Sequence, residues 1–193
     1  MSIIIATVDR KNKTQSMYSD GLIVDENGSI FDTRGVKIRH VETESYNVLI
    51  GCAGDVPYGS YVRTNFVDEL EKVEINDWTD DDKVVLQLTN IFTKLWHDYC
   101  DRSSINYKED YGCDILLVVN GNIYTVEMLS NNLVTVLPNK AFDYSVIGQE
   151  SSAATSMLDY GFSPEDVIKI VAKRNIHVND IIKSIKNIKW QTL

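Results

Sequence analysis

The alternation of hydrophobic and polar positions divides the chain into blocks of strands and blocks of helices. The first block opens at residues 3–9 with three consecutive isoleucines. A short apolar run of β-branched residues is typical of a strand that is buried on both faces. Further strands are predicted over 16–21, 36–41 and 47–53, and an Asn-Gly hairpin turn is predicted at 25–28. The first third of the chain is therefore predicted to be all β.

Apolar residues at helical spacing follow this block. One amphipathic helix is predicted over 56–73, and Asp80 is predicted to cap a second helix, because a short polar side chain there accepts a hydrogen bond from the first turn. A polar loop is predicted over 102–111. The apolar stripe of the second helix consists of Val84, Leu88, Ile91, Phe92, Leu95 and Tyr99.

A second block of strands followed by helices completes the pattern. Strands are predicted over 113–119, 122–128, 134–137 and 144–147. The two-residue turn Asn120-Gly121 predicts a tight hairpin between the first two of them. Helices are predicted over 151–160, ending at Gly161, and from Pro164 onward with Ser163 as the N-cap. The final lysine-rich segment, 178–188, is predicted to be helical from its period.

The order of these blocks predicts the fold class. Runs of strands followed by runs of helices are typical of a layered α+β protein rather than of alternating βαβ units. Two sheets packed face to face, with helices outside them, would bury the isoleucine strand in the middle. The length of 193 residues predicts a single domain over 1–193, in which 178–193 forms a C-terminal helix and tail.

Composition and charge narrow the classes of function. The formal net charge of -9 and the pI near 4.8 argue against a nucleic-acid partner, which would need a basic surface. No apolar window approaches the roughly 18 residues of a membrane span, and no basic region of a signal peptide precedes the first strand. Three widely spaced cysteines predict reduced thiols. We therefore expect a cytoplasmic protein without nucleic-acid or membrane partners.

Four positions carry candidate chemistry. Removal of Met1 would place a hydroxyl and a free α-amine, with a pKa near ~8, on the single residue Ser2. Asp20 ends the second strand before a glycine, Lys37 lies in a strand, and Gly54 precedes a helix. Taken singly, each of these residues has an ordinary interpretation. Ser2 would simply follow the start codon, and Asp20 would belong to a turn. Lys37 would face solvent, and Gly54 would allow the chain to enter a helix.

No metal site is predicted. His97 and Cys100 lie one helical turn apart and would be compatible with one half of a site. A zinc site needs three or four such ligands, and the sequence offers no second pair at a fitting spacing.

The order of the candidate residues resembles the pattern of the proteasome β-subunit superfamily, specifically the HslV-type peptidases, which are N-terminal nucleophile (Ntn) hydrolases. The matching segments are Ser2, Ser19-Asp20-Gly21, Val36-Lys37-Ile38-Arg39, Gly51-Cys52-Ala53-Gly54, Ile147-Gly148, 151–154 and 161–165. The resemblance covers roughly residues 2–175. It rests on the ordered set, since no single motif is specific.

The resemblance implies a four-layer αββα sandwich of two antiparallel sheets and a peptidase mechanism. In that mechanism the Ser2 hydroxyl attacks a peptide carbonyl and the α-amine takes the proton. Lys37, paired with Asp20, would stabilise negative charge, and the Gly54 N–H would face the oxyanion. The resemblance also implies a homo-oligomeric ring, a protein or peptide substrate, an ATP-dependent unfoldase partner and no cofactor.

Departures from the family pattern keep other interpretations open. The family nucleophile is Thr, which is Ser2 here; Asp55 replaces a glycine beside the oxyanion hole; and Gln149 replaces a serine that positions the amine. A retained Met1 would convert the amine into an amide nitrogen and block the mechanism. The main alternative is a catalytically inactive proteasome-like protein that serves assembly or protein binding. A third interpretation is an amidase acting on a small molecule.

Overall fold

We describe the fold from a computed structural model, in which residues 2–24, 29–73, 75, 78, 80–103, 113–128 and 133–190 are described. The elements in chain order are β1 (Ile3–Asp9), β2 (Thr14–Asp20), β3 (Ile23–Val24), β4 (Ile30–Asp32), β5 (Ile38–Glu42), β6 (Asn47–Gly54), α1 (Val56–Leu70), α2 (Asp81–Ser103), β7 (Cys113–Val119), β8 (Asn122–Met128), β9 (Val134–Asn139), β10 (Tyr144–Gly148), α3 (Ser151–Asp159), α4 (Pro164–Ala172) and β11 (Ile182–Lys189). The turn predicted at 25–28 and residues 104–111 of the predicted polar loop lie outside the described residues.

The strands form two main antiparallel sheets. One sheet has four strands in the order β10-β1-β2-β11, and the other has five in the order β5-β6-β7-β8-β9. The short strands β3 and β4 pair separately. In the four-stranded sheet, Ile4 of β1 lies opposite Ser19 on one side and Ile147 on the other. The strand that opens the chain therefore lies inside its sheet.

Three apolar cores separate the layers. The core between the two sheets contains Ile4, Ala6, Val8, Met17, Ile38, Leu49, Ala53, Leu116, Val118, Ile123 and Ile147. The core between the five-stranded sheet and α1 and α2 includes the stacked pair Phe66 and Phe92. The core between the four-stranded sheet and α3 and α4 includes Ile3 and Ile5. The fold is thus the αββα sandwich that the sequence predicted, with β1 buried on both faces.

Most of the local signals predicted the correct elements. Asn120 and Gly121 have φ values of 45° and 78°, as the predicted tight hairpin between β7 and β8 requires. The Oγ atom of Ser163 accepts the Asp166 N–H at 3.2 Å and caps α4. The helix predicted over 56–73 ends earlier, at Leu70. No helix in the described ranges is both long enough and apolar enough to span a membrane.

The helix predicted over 178–188 is wrong, because Ile182–Lys189 forms the edge strand β11. Its three isoleucines recur every third residue, which mimics a helical period. A bulge between Ile185 and Ile188, with Asn187 at φ 56°, adds one residue to the strand, so both isoleucines pack on the core between the sheets. Ile182 lies on the opposite face, below α3 and α4. The bulge forms only against β2, so the local period cannot reveal it.

Candidate active site

Ser2 is held at the junction of β1 and β10. Its carbonyl oxygen accepts the N–H of Gln149 at 2.7 Å. Gly148 has a φ of 90°, and a Cβ atom at this position would lie 2.0 Å from the Ser2 carbonyl oxygen. Only glycine permits this approach, because any side chain would collide with the Ser2 backbone. The sequence motif Ile147-Gly148 thus has a steric function: it lets the start of β1 reach the end of β10.

Asp20 joins the start of β1 to Lys37. The carboxylate is fully buried, and its Oδ1 atom accepts both the Lys37 Nζ at 2.8 Å and the Ile3 N–H at 3.0 Å. Its Oδ2 atom accepts the Leu22 N–H at 3.0 Å. Two of these donors are backbone N–H groups, and the third is the ammonium group of the ion pair. Asp20 therefore sets the position of the ammonium group relative to the residue that follows Ser2.

Lys37 is buried, with 5% of its surface exposed, although a lysine on an alternating strand usually faces solvent. It immediately precedes β5 rather than lying within it, and its carbonyl oxygen accepts the Cys52 N–H at 3.0 Å. Burial lowers the pKa of Lys37, and the nearby Asp20 carboxylate opposes part of this shift. An ion pair buried in this way is costly in stability, so its presence points to a function at this site.

A single pocket brings three of the four candidate residues together. Ser2, Lys37 and Gly54 all line it, whereas Asp20 lies behind Lys37 and reaches the pocket only through the ammonium group. The remaining lining residues are Leu22, Ile23, Val24, Val36, Cys52, Asp55, Val56 and Arg63. The lining thus combines apolar side chains with two basic side chains and one acidic side chain. The structure brings the predicted residues together; their catalytic roles remain predictions.

Gly54 and Asp55 connect β6 to α1 at the edge of the pocket. Gly54 has a φ of 117°, a conformation that side-chain-bearing residues rarely adopt, and Asp55 is the N-cap of α1. The Asp55 Oδ1 atom accepts the Tyr58 N–H at 2.6 Å. The acidic residue that departs from the family pattern therefore has a structural partner, since its carboxylate caps the first turn of the helix.

Sequence reasoning did not identify two of the pocket residues, Cys52 and Arg63. In the sequence, Cys52 stands at the variable position of a glycine-rich turn, and Arg63 lies in a helix that is predicted from its apolar stripe. Arg63 is the single basic residue of α1, and this is the one feature of the sequence that distinguishes it.

Among the described residues, no group of three or more His, Cys, Asp and Glu side chains gathers into a metal site. His97 is exposed on α2, whereas Cys100 is buried in the core beneath the helices. The two side chains one helical turn apart therefore lie in different environments.

The layer order and the sheet topology define the class of fold as the αββα sandwich of the Ntn hydrolases. No protein-family model and no curated protein sequence matches the chain. Solved structures do match it. Eukaryotic HslV from Trypanosoma brucei is 13% identical, with 95% of this chain and 98% of that chain covered and a TM-score of 0.64.

Two structures of Anbu, an ancestral β-subunit, are similar to the chain as well. Anbu from Yersinia bercovieri is 12% identical over 95% of this chain and 80% of that chain, with a TM-score of 0.63. The helical assembly of the Anbu complex from Pseudomonas aeruginosa gives 11% identity over the same shares, with a TM-score of 0.65. At such identities the likeness establishes a proteasome-like fold, and a shared fold does not establish a shared chemistry.

Proposed function

We propose that the chain is a proteasome-like, HslV-like Ntn hydrolase that cleaves peptide bonds with Ser2 as nucleophile after removal of Met1. The observation that carries this proposal is the buried Lys37–Asp20 pair, whose carboxylate also accepts the N–H of Ile3. The pair places a cation beside the residue that would become the N-terminus. A scaffold without chemistry gains little from such a pair, because burying two charges costs more than apolar packing.

The proposed reaction uses groups that line the pocket. The Ser2 Oγ atom attacks the peptide carbonyl carbon while the Ser2 α-amine takes the hydroxyl proton. Negative charge develops on the carbonyl oxygen, where the backbone N–H of Gly54 and the Lys37 ammonium stabilise it. Collapse of this intermediate breaks the C–N bond, and the leaving amine receives the proton. Water then hydrolyses the Ser2 ester by the same route in reverse, which restores the hydroxyl.

We further propose that the chain acts as a homo-oligomer on unfolded protein or peptide segments, with an ATP-dependent unfoldase as partner. The solved Anbu structure from Pseudomonas aeruginosa is described as a helical assembly, which supports self-association of chains with this fold. Confinement of the pocket inside an assembly would exclude folded proteins, and an unfoldase would then be needed to supply extended chains.

One observation favours the alternative, a catalytically inactive proteasome-like protein used for assembly or protein binding. The Asp55 carboxylate lines the same pocket as Ser2 and Gly54. A negative charge at this position opposes the developing oxyanion. Its Oδ1 atom accepts the Tyr58 N–H, so one oxygen of this carboxylate is bound to the first turn of α1.

The first test of the proposal is the N-terminus itself. We expect the intact mass and N-terminal sequencing of the protein, expressed in a bacterial cytosol, to show a chain that begins at Ser2. On a fluorogenic peptide, Ser2→Ala and Lys37→Ala should then each lower kcat by at least about a hundredfold. Ser60→Ala and Lys169→Ala are matched controls on exposed helical positions and should stay within about twofold of wild type. Uniform retention of Met1 would block the self-activated mechanism and favour the inactive alternative, whereas full activity of Ser2→Ala would rule out Ser2 as the nucleophile.

A further inference from the structure

The loop between α4 and β11 presents one side chain to the two segments that carry Asp20 and Lys37. Asn179 lies in this loop, and its carboxamide binds backbone groups on both segments. Its Oδ1 atom accepts the Gly21 N–H at 2.9 Å, and its Nδ2 atom donates to the Thr33 carbonyl oxygen at 2.9 Å. Gly21 follows Asp20 directly, and Thr33 lies four residues before Lys37. One side chain thus connects the two segments that supply the buried ion pair.

Gly21 has no room for a side chain at this connection. A Cβ atom there would lie 2.7 Å from the Thr33 carbonyl oxygen and 3.1 Å from that of Ile181, so only glycine permits these approaches. The Gly21 carbonyl oxygen accepts the Gly35 N–H at 2.8 Å, and both polar groups of its backbone are therefore bonded. Continuation of the register between β1 and β2 places Gly21 opposite Ser2. The connection is thus adjacent to the candidate nucleophile.

The chain between β4 and β5 has little apolar packing of its own. Thr33, Arg34 and Val36 are exposed, and Gly35 is buried but has no side chain. A segment with few buried apolar contacts opens easily, so its hydrogen bonds to the rest of the fold determine where it lies. The next residue along the chain is Lys37. The position of the Lys37 backbone therefore depends on the hydrogen bonds described above.

Asn179 is itself held between two anchored residues. Val178 is 4% exposed and packs in the core beneath α3 and α4, and its N–H donates to the Asn175 carbonyl oxygen at 3.2 Å. On the other side, β11 begins at Ile182, which pairs with Asp20. An asparagine suits this position because its amide both donates and accepts, whereas an aspartate carboxylate only accepts. The loop thus offers a fixed amide to two backbone groups of opposite polarity.

We propose that Asn179 is a positioning residue for the Lys37–Asp20 pair. Its carboxamide holds the segment that leads to Lys37 against the residue that follows Asp20, and this fixes the ammonium group beside Ser2. In the proposed reaction Asn179 contacts no reacting atom and acts through Lys37. Its effect on catalysis rests on the proposed function, whereas its effect on the burial of Lys37 does not.

Steady-state kinetics on a fluorogenic peptide test the effect on catalysis. Asn179→Ala removes both hydrogen bonds and should lower kcat by about tenfold with KM within about twofold, because a displaced ammonium group stabilises the oxyanion less. Asn179→Asp keeps the shape and the acceptor for Gly21 but loses the donor to Thr33, and it should lose about as much. Wild-type kcat in both variants would overturn the proposal.

Two control variants separate positioning from general stability. Asp180→Ala changes the next residue of the same loop, whose side chain is exposed, and should keep the wild-type kcat. Ile185→Ala removes packing from β11 without touching the hydrogen bonds of Asn179, and its kcat should stay within about twofold of wild type. A loss of kcat in Ile185→Ala equal to that in Asn179→Ala would show a merely structural role and overturn the proposal.

The burial of Lys37 gives a second readout that needs no activity. Brief treatment with N-hydroxysuccinimide acetate, followed by peptide mass spectrometry, should acetylate the exposed Lys169 well before Lys37, which is 5% exposed. In both Asn179 variants the labelling of Lys37 relative to Lys169 should rise by about tenfold, and in Asp180→Ala and Ile185→Ala it should not. If the wild-type protein cleaves no peptide, the proposed function fails and this ratio alone decides. A raised ratio in Asn179→Ala then supports the positioning of Lys37, and an unchanged ratio overturns it.

Discussion

At the residue scale, the most constrained side chain of the site is Asp20. It is fully buried and accepts the Lys37 Nζ and two backbone N–H groups, those of Ile3 and Leu22. The carboxylate lies at the end of β2. Its three donors lie at the start of β1, in the segment after β2 and on the residue before β5. One carboxylate thus connects segments that are adjacent only in the folded chain, and the position of Lys37 in the pocket depends on it.

We predict that stability and activity respond differently when this pair is replaced. Lys37→Met alone leaves an unpaired buried carboxylate and should lower the free energy of unfolding by about 3 kcal/mol. The double variant Asp20→Asn/Lys37→Met keeps the volume and the acceptor for Ile3 and should lie within about 1 kcal/mol of wild type in urea unfolding. Its hydrolytic activity should nevertheless be lost. Retained activity in the double variant would show that the pair is structural.

At the element scale, the connection from β6 to α1 shapes the pocket. Gly54 ends the strand with a positive φ, Asp55 caps the helix, and Gly59 in the next turn lies close against Cys52. In the other sheet, which has four strands, β11 forms one edge by pairing with β2. The carboxylate at the end of β2 therefore depends on an edge strand from the end of the described chain.

Ile185 provides a test of this edge strand. Its side chain is half buried and packs on the core between the sheets, so Ile185→Ala should lower the free energy of unfolding by about 1–2 kcal/mol. Ile176→Ala is the matched control, because Ile176 is 86% exposed, and it should change stability by less than about 0.5 kcal/mol. Thermal or urea unfolding measures both. Equal effects of the two substitutions would contradict the placement of Ile185.

At the scale of the whole molecule, the pocket opens beside a set of exposed apolar side chains. Ile30 and Phe31 on β4 and Val36 before β5 are 65%, 83% and 62% exposed. Exposed apolar groups of this kind commonly mark surfaces that bind another protein. Under the proposed function, we expect a second copy of the chain to cover this surface.

The predicted assembly has a direct measurement. Sedimentation velocity or light scattering should give a mass several times that of the 21.9 kDa chain at micromolar concentration. Phe31→Ser should shift this distribution toward smaller species, whereas Phe162→Ser, at the α3–α4 connection, should not. A monomer in the unaltered protein would contradict the homo-oligomer.

The sequence by itself determined the elements whose signals are local. The pattern of apolar residues placed β7 and β8 at their observed bounds, and Asn120-Gly121 and Ser163 specified a turn and a cap, because these structures depend on neighbouring residues alone. The order of Ser2, Asp20, Lys37 and Gly54 also singled out four candidate residues, although each residue alone was ambiguous.

Only the tertiary structure decided how these residues meet. The bulge of β11 exists only against β2, so its isoleucines imitated a helix in the sequence. The burial of Lys37 and the close approach of Gly59 to Cys52 likewise arise from segments that are distant or on different elements. Burial and long-range pairing are properties of packed layers. The pattern of polar and apolar residues along the chain does not show which layer covers which residue.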